Sequence, residues 1–269
     1  MTSEPGFQLS GDAPERYESH VATIMAPFVA ALLDAARPEP GDAVLDVACG
    51  TGFAARAAAD LVGADGNVVG VDVNPGMLAA AAAHTPDAAP LYWNQASADA
   101  LPFDDAAFDV VVCQQGVQYF PELDAAFTEF ARVLRPGGRV AVTAWASIDG
   151  SPFFLAQRLA IDEVAGPKVA ASYATSFSCT AKRMAAAMRE AGLDEVRTRE
   201  LQVMIKLPPL ADFAPAHLSA LPWASAVAEA RRDGIRKATE TLCELLGPFT
   251  ASDGTAELPF TSTVAAAVR

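Results

Sequence analysis

Apolar positions in the first half of the chain follow two alternating rhythms. Unbroken runs, AVLDVA (43–48), VVGVDV (68–73), LYWNQA (91–96), FDVVVCQQ (108–115) and RVAVTAW (139–145), predict short buried strands. Between them, apolar residues recur at three- and four-residue spacing, which predicts helices over 53–61 and 123–134 and one beginning at Asn74-Pro75. Asn74 suits the cap of that helix and Pro75 its first turn. Ahead of the first strand, a helix over 14–36, bent near Pro27, ends before the breaker Pro38-Glu39-Pro40-Gly41. Strands that alternate with helices and carry almost no polar positions predict a parallel sheet covered on both faces, an α/β fold.

The second half changes character. Helical spacing over 152–164 and 180–191 leads into EVRTRELQVMIKL (195–207), an extended run too long for one flat strand. After Pro208-Pro209 an alanine-rich helical stretch continues to about 246, and ELPFTSTVAAAVR closes the chain as another strand. Two terminal strands separated by a helical insertion predict an antiparallel edge on the parallel sheet, with the insertion as a lid. No repeat or low-complexity linker divides the chain, so one domain over 1–269 is expected. Its parts are an N-terminal lid helix (1–40), a ligand-binding core (41–147), and substrate-side helices with terminal strands (148–269), the insertion occupying about 208–248.

Charge and composition narrow the partners. With 269 residues, 52% of them hydrophobic, the chain can bury a sizeable core, and its net charge is −14. No Lys/Arg cluster interrupts that acidity, so neither nucleic acid nor an anionic membrane surface is expected as a partner. The cysteines, at 49, 113, 179 and 243, form no C-x-x-C pair and have no histidine close by in sequence, so neither a disulfide frame nor a metal site is expected. Free thiols fit a reducing cytoplasm. The start of the chain, MTSEPGFQLSGDAPERYES, is polar and predicts no signal peptide, and no run of 18 apolar residues predicts a membrane span.

The chemistry begins at VLDVACGTGFAARAA (44–58), where Gly50 to Ala55 match the fingerprint G-x-G-x-x-G/A. In open α/β sheets, ligands bind beyond the carboxyl ends of the strands, so this turn predicts the site whatever the ligand. Gly50 and Gly52 allow close backbone approach, and the following helix start attracts negative charge. Asp72, at the end of the second strand, suits a ribose diol. An adenosine ligand of either kind, a nicotinamide dinucleotide or another, satisfies these features.

VLDVACGTG, VVGVDVNPGML, ALPFDDAAFDVVVCQQGVQYF and RVLRPGGRVAV occur in this order and spacing. Together they resemble the class I S-adenosylmethionine (SAM) methyltransferases, in particular the group related to the ubiquinone and menaquinone biosynthetic enzymes (methyltransferase type 11). RYESHVATIMAPF and TSTVAAAVR resemble that group's lid helix and last strand. The resemblance implies a Rossmann-like, doubly wound, mostly parallel sheet of seven strands with an antiparallel C-terminal edge and a helical lid. It implies SAM as cofactor and S-adenosylhomocysteine (SAH) as product.

Carried over by position, it implies that Asp46 orders the first turn and reaches the methionine amine through water. Ala48 and Gly50 would offer backbone to the methionine part, and Gly52 would make room. Asp72 would take the ribose hydroxyls, Val73 and Met77 would pack on the adenine, and Gln114 would offer backbone near the sulfonium. Tyr17 would close over the carboxylate. One position departs from the family, which usually reads G-D-A before L-P-F, the Asp accepting from the adenine amine. Here the residues are Ala96-Ser97-Ala98. Ser97 would give a weaker contact, by about 1 kcal/mol, with the Ala98 amide and Asp99 as other groups in reach.

Acceptor-side candidates are fewer. Of 3 histidines, His84 ends a helix away from the turn, whereas His20 and His217 lie on the leading helix and in the insertion. Gln115, Gln118 and Tyr119 follow the fourth strand, where the acceptor approaches, and Trp145 follows the fifth. CQQG is not the Asn/Asp-Pro-Pro-Tyr/Phe turn of nucleic-acid amino-methyltransferases. Phe153, Phe154, Phe177, Phe213 and Trp223 are available as walls. The expected function is therefore SAM-dependent methyl transfer to a small, apolar or aromatic acceptor, oxygen slightly ahead of carbon or nitrogen. The alternatives are a SAM- or SAH-binding module without transferase activity and a nicotinamide oxidoreductase. A homodimer is compatible with the sequence.

Overall fold

The computed structural model describes residues 9–86 and 90–269, so the first eight residues of the polar N-terminal segment lie outside the described residues. Seven strands form one sheet: β1 (Ala43–Val47), β2 (Asn67–Asp72), β3 (Leu91–Gln95), β4 (Phe108–Gln114), β5 (Leu134–Trp145), β6 (Asp194–Leu207) and β7 (Ala256–Val268). Their order is β3-β2-β1-β4-β5-β7-β6. The first five in that order run parallel, and β7 lies antiparallel between β5 and β6. This is the Rossmann-like methyltransferase architecture, with the antiparallel edge where the two terminal runs predicted it. The long extended run is one strand, β6, whose pairing with β7 shifts register between Asp194 and Arg197. That irregularity gives a long edge strand the local twist that a flat ladder lacks.

Strand alternation decides which helix covers which face. Val44, Val68, Val110 and Val112 point to one side, under α1 (Ala13–Ala36) and α2 (Phe53–Val62). Leu45, Val47, Val111 and Val142 point to the other, under α4 (Leu123–Val133) and α7 (Ala181–Glu190). Between these, α3 (Pro75–Ala83) follows β2; Asn74 caps it, its Oδ1 accepting from the amides of Gly76 and Met77 at 2.8 and 3.3 Å. Among the described residues, α1 alone is long and apolar enough to cross a membrane by length and composition, yet its Ile24, Phe28 and Leu32 are fully buried within the protein.

A third apolar cluster sits beyond the carboxyl ends of the strands. It joins α5 (Pro152–Ala165), α6 (Pro167–Ala174), α8 (Leu210–Ser219), α9 (Ala224–Ala230) and α10 (Gly234–Leu246) to the front of α1 and to Trp145 and Phe260 of the sheet. The alanine-rich stretch is thus three helices, broken at 220–223 and at 231–233. Gly234 starts α10 directly against the end of α9, where an added Cβ would run into the Val227 carbonyl. The α6 helix carried no distinct signal in the pattern. Strand order reverses at β1, which lies between β2 and β4, and this places the site at the ends of β1 and β4.

Candidate active site

The turn after β1 is built from residues in the left-handed region: Ala48 at φ 54°, Gly50 at 55° and Gly52 at 89°. An alanine there is strained by about 1–3 kcal/mol, a cost typical of residues held for function. Gln115, at φ 53°, repeats the device at the end of β4. The two turns meet at Gly116, where an added Cβ would lie 2.7 Å from both the Ala48 Cβ and the Cys113 Sγ. Asp72 ties the turn down from the neighbouring strand. Its Oδ2 accepts from the Gly50 amide at 2.9 Å and its Oδ1 from the Asn74 amide at 2.8 Å. Each carboxylate oxygen keeps a further lone pair for a ligand hydroxyl. Burial raises the Asp72 carboxyl, against the pull of those amides.

One cavity runs from this turn to the underside of the second-half helices. Of the residues predicted for the cofactor, Tyr17, Ala48, Gly50, Asp72 and Val73 line it, as do Met77, Ser97, Ala98 and Gln114. Asp46 and Gly52 stand behind its wall. An added Cβ on Gly52 would lie 2.6 Å from Trp93 Cη2, so the room this glycine makes is filled by a β3 side chain. Asp46 is fully buried, with neither carboxylate oxygen bonded among the described residues, and burial pushes its carboxyl up to about 8. The Ser97 hydroxyl donates to the Asp99 carboxylate, and both border the cavity, so the position that departs from the family still brings a charge to that edge.

The α1 helix and the turn are joined by a pair that sequence reasoning missed. Arg56 donates from Nη1 to the Thr51 carbonyl at 2.6 Å and from Nη2 to Glu18 of α1 at 2.5 Å, beside Tyr17. Gln114 adds a second tie, its Nε2 donating to the Met25 carbonyl at 3.2 Å.

At the far end of the cavity stand Tyr119, Trp145, Phe154, Tyr173, Phe177 and Trp223, with His217 among them. Trp145 meets Phe154 edge-on with centroids 4.8 Å apart. Phe153 and Phe213 lie behind, packed on each other and on His217. Gln118 lines the cavity with its Oε1 accepting from the Trp145 amide at 3.2 Å. Gln115 also lines the cavity, with its side chain tied into the sheet, donating to Ser262 Oγ at 2.9 Å. His20 is half-buried on α1 and does not line the cavity, although its charge is felt at His217. His84 pairs with Glu15 at the surface. Burial pushes His217 down to about 3 and raises the phenols of Tyr119 and Tyr173. No lysine or arginine borders the cavity among the described residues.

Residues 45–142 match the family model described as a methyltransferase domain. Over 205 residues the chain is 30% identical to nocamycin O-methyltransferase of Saccharothrix syringae, a match covering 71% of this chain and 73% of the relative. The chain belongs to the class I SAM-dependent methyltransferases. It is also 43% identical over 106 residues to 2-phytyl-1,4-naphthoquinone methyltransferase of Synechocystis, covering 38% of this chain and 44% of that protein. Against this and several other curated relatives the match spans less than half of the relative's length. In fold, the methyltransferase resembles phosphoethanolamine N-methyltransferase 2 of Haemonchus contortus, solved with SAH, at TM-score 0.60 and 19% identity, covering 95% of this chain and 57% of that one.

The residues of this methyltransferase fit SAM on their own geometry. The unbonded, buried Asp46 carboxylate beneath the turn is chemically matched to an amine cation, and Gly50 offers open space where a Cβ would project. Asp72 would hold the ribose diol, Val73 and Met77 would flank the adenine, and Ser97 with Asp99 would stand at its edge.

Proposed function

We propose that this methyltransferase moves the methyl group of SAM to an oxygen of a small, apolar, planar acceptor. The observation that carries the reading is one cavity that joins the Asp72-tied turn to an aromatic enclosure bordered, among the described residues, by no lysine or arginine. Such walls suit an uncharged or delocalised ring and offer nothing to a phosphate. Oxygen is favoured over carbon or nitrogen because a relative whose match covers 71% of this chain is named an O-methyltransferase. Bound at the turn, SAM supplies a methyl group on a positively charged sulfur, which an in-line nucleophile takes while the sulfur becomes neutral.

The protein's part is to align and to keep dry. The strained turns at Ala48 and Gln115 bring backbone close to the reacting end without side chains in between. Trp145, locked between Phe28 and Phe154 at centroid distances of 5.2 and 4.8 Å, gives a fixed wall. Tyr119, its hydroxyl donating to Ser176 Oγ at 3.1 Å, stands with the aromatic walls at the far end, and Gln118 lines the same cavity. Tyr17, packed against Phe53, covers the cofactor end, and the Glu18–Arg56 pair holds that cover in place.

Tritium transfer from methyl-labelled SAM into a panel of hydroxylated aromatic and enolic compounds tests the reading. Base-stable label on oxygen supports it. SAH binding without label in any compound identifies a binding module that does not methylate, and label on carbon or nitrogen replaces the acceptor atom.

A further inference from the structure

Behind the aromatic enclosure, three side chains form a hydrogen-bonded row. The Tyr173 hydroxyl donates to Gln157 Oε1 at 2.9 Å, and Gln157 Nε2 reaches His217 Nδ1 at 3.2 Å. All three are buried, at 3%, 1% and 3% exposure. Gln157 does not border the cavity, while His217 and Tyr173 do.

The row has a direction. A buried phenol hydrogen needs an acceptor, and Gln157 Oε1 is the one within reach. That contact turns the amide so that its NH₂ faces the histidine ring. An amide nitrogen can only donate, so Nδ1 of His217 must be the accepting nitrogen, and the hydrogen of the neutral ring must sit on Nε2. Reversing the amide would take that acceptor away from the Tyr173 hydrogen. Phe153 holds the ring edge-on, at 5.2 Å and 86°.

Among the described residues, the charged groups around the ring do not favour a second proton. His20 on α1 opposes it by charge, and Arg16 of the same helix donates to the Ser219 carbonyl at the end of α8, 3.1 Å away. Tyr119 and Tyr173, the titratable groups of the enclosure, are held as neutral phenols by burial. The carboxylates bordering the cavity stand elsewhere: Asp72 and Asp99 follow β2 and β3 at the cofactor end, and Glu122 is exposed at the mouth. On α8 itself, Asp212 is exposed one turn before His217 and its neighbour Phe213 lies against the ring.

We propose that His217 meets the acceptor as a hydrogen-bond donor through Nε2, fixed in that form by Tyr173 and Gln157 as positioning residues, and that the site therefore takes an oxygen acid that has already shed its proton, an enolised 1,3-dicarbonyl or an electron-poor phenol. This rests on the methyl-transfer reading above and names its acceptor class. The acceptor's proton goes to water before binding. Its oxygen then forms the O–CH₃ bond as the S–CH₃ bond breaks, the bonding pair leaves with sulfur, and an anion and a cation become two neutral products. The His217 N–H steadies the oxygen without taking a proton at any point.

The test is nitrogen NMR of the full chain labelled at histidine, with His217→Gln to assign the signal, from about pH 5 to about pH 8. The expected result is a neutral His217 with its hydrogen on Nε2 throughout. In Gln157→Glu the hydrogen moves to Nδ1 and a titration enters the range. A wild-type hydrogen on Nδ1, or a wild-type titration inside that range, overturns the proposal whether or not methyl transfer occurs. Kinetics give a second arm, independent of the Glu variant's folding. His217→Gln keeps a donor and loses about ten-fold, while His217→Ala loses about a hundred-fold or more, the usual cost of removing an oriented donor. Equal losses in the two variants, or a pH–rate inflection that stays fixed across acceptors of different acidity, overturn it. Absence of transfer to any acceptor, with the NMR result as expected, counts against the methyl-transfer reading alone.

Discussion

The Asp72 carboxylate grips the Gly50 amide at 2.9 Å, so the end of β2 fixes the shape of the turn that follows β1. In the proposed reading the same group accepts from the ribose diol, so one side chain would serve as both brace and ligand contact. Asp72→Ala should weaken SAH binding by ten-fold or more, about 1.4 kcal/mol for each decade, as read by isothermal calorimetry. Asp72→Asn, which keeps one accepting oxygen, should lose less. Equal affinity in wild type and the alanine variant would misplace the ribose.

Asp46 should make SAM binding pH-dependent. Burial pushes its carboxyl up to about 8, above the ordinary 3.8, so the folded ligand-free protein holds a proton that the unfolded chain has released. Its contribution to stability is therefore neutral below about pH 4 and turns unfavourable as the pH rises toward 8, by up to about 1.4 kcal/mol per pH unit. A cationic amine nearby should draw the proton off. Calorimetry in buffers of different ionisation heat, at about pH 7, should show proton release on SAH binding. Asp46→Asn should abolish that release and flatten the loss of ligand-free stability.

His217 works in the opposite direction. Its folded value, pushed down to about 3 from 6.5, means that the unfolded chain takes up a proton that the folded chain refuses. Stability from this group is constant above about pH 6.5 and falls by up to about 1.4 kcal/mol per pH unit as the pH drops toward 3. Urea denaturation at about pH 4.5 and about pH 7 should show that slope in the wild type and its loss in His217→Gln.

Gly70 of β2 lies beneath Trp93, whose ring would collide with an added Cβ, and the Trp93 Nε1 donates to Thr85 at 3.0 Å, which limits how far the ring can retreat. Gly70→Ala should cost about 1–3 kcal/mol by overpacking. Adding Trp93→Leu should recover part of that loss, a coupling that a double-mutant cycle measures.

Arg56 holds α1 to the turn through Glu18 at 2.5 Å and the Thr51 carbonyl at 2.6 Å. Arg56→Ala should speed SAH release by about ten-fold, with a smaller change in thermal stability. Stopped-flow displacement measures the first quantity and calorimetric melting the second.

Apolar runs were enough to place β1, β2 and β4, which are largely buried, and also β3, although its Tyr92 is exposed; the fifth run marked only the second part of β5, which begins at Leu134. Helical spacing placed α1, α2 and α4, and the Asn74-Pro75 start placed α3. Asn74 was legible as a cap because its chemistry is local. That the residues at the strand ends, Asp72 among them, line the cavity was legible from the strand boundaries. What the sequence concealed depends on distant partners. Gly52 reads as a ligand glycine, yet its neighbour in space is Trp93 of β3. Gln115 reads as an acceptor-side polar group, yet Ser262 of β7 takes its side chain. The row of Tyr173, Gln157 and His217 draws on three helices, and no spacing along the chain reveals it. The breaks between α8, α9 and α10 were hidden because alanine-rich sequence keeps helical spacing across turns.

Single-turnover reaction with SAM carrying a carbon-13 methyl group, followed by NMR of the product, tests the central claim most directly. With an enolised 1,3-dicarbonyl or an electron-poor phenol as acceptor, the account predicts a methoxy carbon on the acceptor and SAH in equal amount. SAM bound but not consumed, or a methyl carbon attached to carbon or nitrogen, would contradict it.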